Sequence, residues 1–379
     1  MQGSVVIGEQ ADAFRREFYP EATLSDWNDW RWQLRNRIRD REGVERIFVL
    51  SDDERAAIEA RSDQLPLGLT PYYASLLDRE DPRQGLRRTK LPSMAEFERA
   101  PDEVPDPLGE DAHSPVPGLV HTYPDKVLFL VTDFCATYCR YCTRARMVGS
   151  GEFLPDRNMW EGALAYIEQH PEIRDVLLSG GDPLILAEDR LEWLLERLSA
   201  IPHVEFLRIG TKVPAVLPQR ITSDLLSMLK KYHPLFFSIH FIHPDELTPE
   251  VAQACNRIAD AGIPMGGQSV LLKGVNDDPE VMLRLNTGLL KLRVKPYYLH
   301  QCDPILGSAH FRTPTSVGID ILRSLHGRTT GYAVPQFMVD APGGGGKVPL
   351  SPDYVQGRDG DYLLLRNYLG ESYRYWDPE

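Results

Sequence analysis

The chain is poor in the features that would mark it as anything but a globular protein. It has no run of about 18 apolar residues, so no membrane span is expected. Its first residues carry no cationic segment followed by a long apolar one, so no export signal is expected and the expected compartment is the cytoplasm. It has no cluster of Lys and Arg, and its net charge is −13, which makes it a poor partner for nucleic acid. Five cysteines in 379 residues are too few for a disulfide scaffold. With 42% hydrophobic residues it is too apolar for a disordered chain. The length suits one large domain or two smaller ones.

Residues 1–110 are expected to form an N-terminal helical region ending in a linker. Ser25 is a candidate cap for a helix over 26–40, where Trp27, Trp30, Leu34 and Ile38 recur at helical spacing. A second helix is expected from Ser51-Asp-Asp-Glu. The stretch 101–118 is rich in proline and acid and suggests a wrapping segment.

The pattern then changes. Short apolar runs at 127–131, 176–178, 206–209, 235–239, 269–272, 294–299 and 336–339 alternate with helical periodicity near 157–169, 189–199, 222–232, 246–261, 278–292 and 315–326. Continuous apolar strands between helices predict parallel β/α architecture buried on both faces. Six or seven such units suit a complete or partial barrel better than an open sheet. The strand ends run into Cys135, Ser179-Gly180-Gly181-Asp182, Lys212, His240, Asp303 and the segment Asp340 to Lys347. In parallel barrels that rim carries the active site. The barrel is expected over 111–348, with a C-terminal extension over 349–379.

Three of the five cysteines lie within eight residues, as Cys135-Ala-Thr-Tyr-Cys139-Arg-Tyr-Cys142. A closed zinc site needs four ligands, commonly from two pairs, and no second pair exists. Three thiolates in one loop suit a 4Fe–4S cluster with one iron left open. Zinc completed by a distant histidine, or plain buried thiols, is the alternative. Gly343-Gly-Gly-Gly346-Lys347 fails as a phosphate loop, because Ala341 and Val348 stand where glycine and Ser or Thr are required. A glycine loop beside one lysine fits either a Schiff base with pyridoxal phosphate or a solvated surface loop.

The cysteine spacing with aromatic Tyr141 before the last cysteine resembles the signature of radical S-adenosylmethionine enzymes. Asp340-Ala-Pro-Gly-Gly-Gly-Gly-Lys347 further resembles the pyridoxal-phosphate motif of the lysine 2,3-aminomutase family. So do Asp26-Trp-Asn-Asp-Trp, Thr70-Pro-Tyr-Tyr, Cys142-Thr-Arg144, Val216-Leu-Pro-Gln-Arg and His310-Phe-Arg-Thr-Pro. The resemblance spans residues 18–354. It implies a partial (β/α)6-type TIM barrel with an N-terminal helical extension. It implies that Cys135, Cys139 and Cys142 hold the 4Fe–4S cluster. S-adenosylmethionine would be contacted by Tyr141, Ser179, Gly180, Gly181, Asp182, His240 and Gln268. Lys347 would bind pyridoxal 5′-phosphate as a Schiff base, with Tyr123 and Lys126 near it. Arg144 would grip the substrate carboxylate, and Asp303 and Asp340 its distal cation.

The activity implied is migration of the α-amino group to the β carbon through a 5′-deoxyadenosyl radical. L-Lysine to β-lysine is the leading case and arginine a close rival. A non-catalytic zinc-binding barrel is the rival of another class. The resemblance also implies a low-potential electron donor such as flavodoxin or ferredoxin, and a homo-oligomer. The family pattern has arginine where this chain has Thr122, Lys126 and Ala145, and tyrosine where it has His300. Its clostridial type has a cysteine-rich tail that binds zinc; this sequence ends without those cysteines, so no structural zinc is expected. Asp303 and Asp340 pairing with a local arginine such as Arg312 is the alternative to a substrate role.

Overall fold

Valine, leucine, isoleucine and phenylalanine dominate the strand segments, and the fold buries them on both faces. The computed structural model describes residues 6–60 and 65–378. The first five residues, which enter the export-signal expectation, and 61–64 within the N-terminal region lie outside it. Nine strands form one sheet in chain order: β1 (Leu119–Tyr123), β2 (Lys126–Thr132), β3 (Asp175–Gly180), β4 (Phe206–Thr211), β5 (Leu235–His240), β6 (Met265–Leu271), β7 (Lys295–Gln301), β8 (Gln336–Ala341) and β9 (Gly346–Leu350). Strands β2 to β8 are parallel, and β1 and β9 pair antiparallel at the two edges.

Helices Arg157–Gln169, Glu188–Ser199, Ser223–Leu229, Pro249–Asp260, Pro279–Lys291 and Thr315–Leu325 fill the six crossovers. This is a β/α barrel whose edge strands are not paired to each other among the described residues. Each long crossover helix buries one apolar stripe. Leu191, Leu194, Leu195 and Leu198 do so on Glu188–Ser199, with acid in its first turn and Arg197 in its last, as the helix dipole favours.

The helix expected over 26–40 is broken in two, Leu24–Trp27 and Trp30–Arg35. Two local hydrogen-bonding devices defeat the apolar periodicity. Thr23, not Ser25, caps the first turn and forms a capping box with Asp26. Asp29 caps the second by accepting from the Arg31 amide at 2.9 Å. The break lets Gln33, fully buried, accept the Tyr72 amide at 2.8 Å and donate to the Trp27 carbonyl at 2.8 Å.

The N-terminal region and the barrel share one core. Trp27, Tyr72 and Tyr73 pack in the same cluster as Phe129, Phe237 and Phe337. Polar links fix the seam: Thr70 Oγ1 donates to the Val216 carbonyl at 2.7 Å, and the Tyr73 hydroxyl donates to Glu246 at 2.7 Å. Beyond β9, which runs across the 348/349 boundary, the chain forms a separate antiparallel sheet of β10 (Val355–Asp359), β11 (Tyr362–Arg366) and β12 (Ser372–Trp376).

Candidate active site

The C-terminal ends of the parallel strands deliver the site. The cysteine loop leaves β2, and the Ser179-Gly-Gly-Asp segment leaves β3 directly beside it. The Gly181 amide donates to the Thr132 carbonyl at 2.5 Å, and the Asp182 amide to the Phe134 carbonyl at 2.9 Å. This approach requires glycine. A Cβ on Gly180 would stand 2.2 Å from the Thr132 carbonyl oxygen, and its φ of 119° lies where side chains are strained.

A cavity of about 330 Å³ is lined by Cys135, Cys139, Cys142, Tyr141, Ser179, Gly180, Gly181, Asp182, His240, Gln268, Asp303, Asp340 and Lys347. An adjoining cavity of about 550 Å³ is lined by Thr122, Tyr123, Lys126, Arg208, Gly344 and Gly346, and shares Arg144, Asp340 and Lys347 with the first. The structure therefore brings every sequence-predicted site residue to one of two connected chambers.

All three cysteines are free thiols. Burial pushes the Cys135 thiol well up, and the Cys142 thiol to about 11. Burial also opposes ionisation of Cys139, but the neighbouring Lys90 and Lys212 outweigh it and lower that thiol. Among the described residues no three Cys, His, Asp or Glu side chains converge tightly enough for a single metal ion. Tetrahedral zinc would need sulfurs roughly 4 Å apart. An iron–sulfur cubane takes one thiolate per iron, and three cysteines lining one cavity fit that donor set with one iron left open.

Tyr141 and His240 are hydrogen-bonded, hydroxyl to Nε2, at 2.7 Å. Burial, with Lys212 and Lys90 adding to it, holds His240 well below the usual histidine range, so the ring is neutral. Gln268 accepts from the Tyr297 hydroxyl at 3.0 Å. The Asp182 carboxylate is already occupied. It accepts from Thr211 Oγ1 at 2.7 Å and from the Lys212 amide at 2.7 Å, and burial raises it to about 6. It braces the β3 and β4 ends, leaving the two glycines to present backbone to the cavity.

At the far rim Lys347 Nζ donates to both oxygens of Asp340, at 2.8 and 3.0 Å. His300 Nδ1 lies 3.6 Å from the same carboxylate. Burial opposes the ionisation of Asp340, but His300 and Lys347 overcome it and hold the carboxyl at about 2. Asp303 behaves oppositely: burial and the like charge of Asp340 raise it to about 6. Arg312 pairs with Asp102 at 2.6 Å, so it does not neutralise either acid.

The glycine loop turns back under Lys347 through left-handed backbone, and Gly344 has φ 82° with His113 where a side chain would sit. The Tyr123 hydroxyl accepts the Lys347 amide at 2.9 Å, and Lys126 Nζ lies 4.2 Å from the Tyr123 ring centre. Phosphate-binding groups fit here: Lys126 and Arg208 both line the chamber beside Lys347.

Two single residues and one ion pair at the site belong to no motif. Arg208 projects from β4 and pairs with Asp175 at 2.8 Å; a lone arginine inside an apolar parallel strand is the signal that marks it. Glu110, from the acidic wrapping segment, takes Arg144 Nη2 at 2.7 Å and Nε at 3.1 Å. That leaves Nη1 on the cavity side, 3.5 Å from Ser179 Oγ. The third is the buried pair of Lys212 and Glu246, at 2.6 Å, behind His240.

Comparison with known proteins agrees with this geometry. Residues 129–285 match the radical SAM superfamily, and residues 322–379 match the family Lysine-2,3-aminomutase. The chain is 48% identical to an L-lysine 2,3-aminomutase of Acetoanaerobium sticklandii, covering 97% of this chain and 89% of that one. It is 49% identical to the L-lysine 2,3-aminomutase of Clostridium subterminale, covering 96% and 88%. A glutamate 2,3-aminomutase of Clostridioides difficile is 42% identical, covering 94% and 84%. Identity over nearly the full length of these relatives, together with the cysteine loop on β2, establishes that the chain belongs to the lysine 2,3-aminomutase family of radical S-adenosylmethionine enzymes.

Proposed function

We propose that this chain is a pyridoxal-phosphate-dependent 2,3-aminomutase that acts on a cationic amino acid, converting L-lysine to β-lysine. The carrying observation is the pair Asp303 and Asp340 on the wall of one chamber, with no arginine ion-paired to either among the described residues and a primary ammonium, that of Lys347, already on Asp340. Two neighbouring carboxylates, both largely withdrawn from solvent, need a cation. They would repel the side-chain carboxylate of glutamate, the substrate in the name of one relative.

The residues divide the work. Cys135, Cys139 and Cys142 would hold the cluster, with Gly180, Gly181, His240 and Gln268 around S-adenosylmethionine. Lys347 would hold pyridoxal phosphate as a Schiff base, with Lys126, Tyr123 and Arg208 near its phosphate. Bound together, these groups supply a carbon-centred radical and a π-system that lets nitrogen migrate. Arg144 offers its Nη1 edge to the substrate carboxylate while Glu110 fixes the opposite edge. Asp303 and Asp340 anchor the other end and so fix which carbon faces the radical source.

A flavodoxin- or ferredoxin-type donor, a reducing cytoplasm and a homo-oligomer complete the proposal. The five free thiols support the reducing compartment. No helix among the described residues is long and apolar enough to cross a membrane. Anaerobic enzyme assayed with lysine, arginine, ornithine and glutamate tests the reading. β-Lysine from lysine is expected; β-arginine alone would move the assignment to the guanidinium substrate, and no product from any cation would overturn it.

A further inference from the structure

Lys90 follows the helical turn Gly85–Arg88 and packs against the cysteine loop, where the Arg140 amide donates to the Thr89 carbonyl at 3.0 Å. It is 4% exposed. Its Nζ donates to Cys139 Sγ at 3.1 Å and lies 4.9 Å from the centre of the Tyr73 ring. The other buried lysine nearby, Lys212, has its own carboxylate in Glu246 at 2.6 Å. Glu246 is further engaged by the Tyr73 hydroxyl at 2.7 Å and the Ile242 amide at 2.7 Å. Among the described residues Lys90 has no carboxylate within ion-pair distance; the one hydrogen-bond partner of its ammonium is a sulfur.

A buried ammonium with no carboxylate is costly unless another anion compensates it. The anion beside Lys90 is the thiolate of Cys139 and whatever that thiolate binds. Hydrogen bonds to the sulfurs and net charge are the means by which a protein sets an iron–sulfur potential. We propose that Lys90 is the counter-cation of the cluster, donating N–H to the Cys139 sulfur and raising the cluster's reduction potential. This rests on the cluster assignment made above. In the step concerned, the cluster accepts one electron from a low-potential donor, its net charge falls by one, and no bond is made or broken. A fixed cation stabilises the more negative, reduced form the more. Lys90 acts through Cys139 and is a positioning residue.

The test uses reconstituted holoenzyme of wild type, Lys90→Met, Lys90→Gln and Lys90→Arg. Iron and sulfide content is measured first, then the cluster midpoint potential by redox titration followed by electron paramagnetic resonance. The two neutral variants are expected to load the cluster with midpoints shifted negative, and Lys90→Arg to stay near wild type. Loaded neutral variants with the wild-type midpoint overturn the proposal, as does an arginine variant shifted as far as methionine. Loss of cluster from both neutral variants, with Lys90→Arg loaded and melting temperatures unchanged, shows the same charge requirement as affinity and supports it. Loss from all three variants overturns it. Wild-type protein that takes up no iron and sulfide overturns the cluster assignment itself.

Discussion

Acidification from pH 7 to pH 5 is expected to weaken lysine binding by protonating Asp303. The carboxyl is raised from 3.8 to about 6 by burial and by Asp340. At pH 7 it is about nine-tenths ionised and at pH 5 about one-tenth, so affinity for an ammonium should fall about tenfold, or about 1.4 kcal/mol. Asp340 is held at about 2 by His300 and Lys347; in the loaded enzyme the substrate ammonium takes the place of Lys347, so Asp340 stays ionised in the complex and adds little slope. The sign for stability is the reverse. A carboxyl raised on folding binds its proton more tightly in the native state. Its contribution is therefore complete below about 3.8 and is lost as pH rises through about 6. Asp182, also raised to about 6, shares that stability trend, but its carboxylate is occupied by Thr211 and backbone amides. The assay is equilibrium binding of lysine to enzyme loaded with pyridoxal phosphate, followed by its visible absorbance, with S-adenosylmethionine omitted so that nothing turns over. Asp303→Asn and the uncharged analogue norleucine are the controls. An affinity flat between pH 7 and 5, or the same slope in Asp303→Asn, refutes the assignment of Asp303 to the distal ammonium.

Other expectations follow from the same geometry. Lys347→Ala should lose the visible absorbance of bound pyridoxal phosphate; a retained signal would place the cofactor on another lysine. Glu110→Ala should raise the KM for lysine about tenfold, because Arg144 loses the carboxylate that orients it, and an unchanged KM would show that Arg144 needs no such brace. The Glu54–Arg87 pair is buried and doubly hydrogen-bonded, at 2.9 and 2.8 Å, so Glu54→Ala should cost about 3–5 kcal/mol in denaturant unfolding. A loss under 1 kcal/mol would mean that water reaches Arg87 in the variant.

The barrel was legible because parallel strands buried on both faces are apolar runs, and each run here ends in polar residues that face the site. The start of β6 was hidden, since Gly266 and Gly267 interrupt the apolar pattern that marks a strand. The split of the helix at Asn28-Asp29 was hidden because apolar spacing at Trp27 and Trp30 continues across it, while the Asn28 side chain closes the first turn on the Leu24 carbonyl and Asp29 caps the start of the next. The C-terminal sheet was hidden for a different reason: β10 and β12 are exposed throughout, so no buried face imposes an alternation. In the site, the cysteines and Lys347 announce themselves by spacing or by glycines. Arg208, Glu110 and Lys90 do not, because each is brought in from a distant segment by the curvature of the sheet and by the wrapping of the N-terminal region.

The most direct test of the account is the product formed by anaerobic, reduced enzyme loaded with iron, sulfide, S-adenosylmethionine and pyridoxal phosphate. With L-lysine as substrate, β-lysine is expected, and its formation should fall sharply in Asp303→Ala and Asp340→Ala. A β-amino product from glutamate and none from lysine would contradict it.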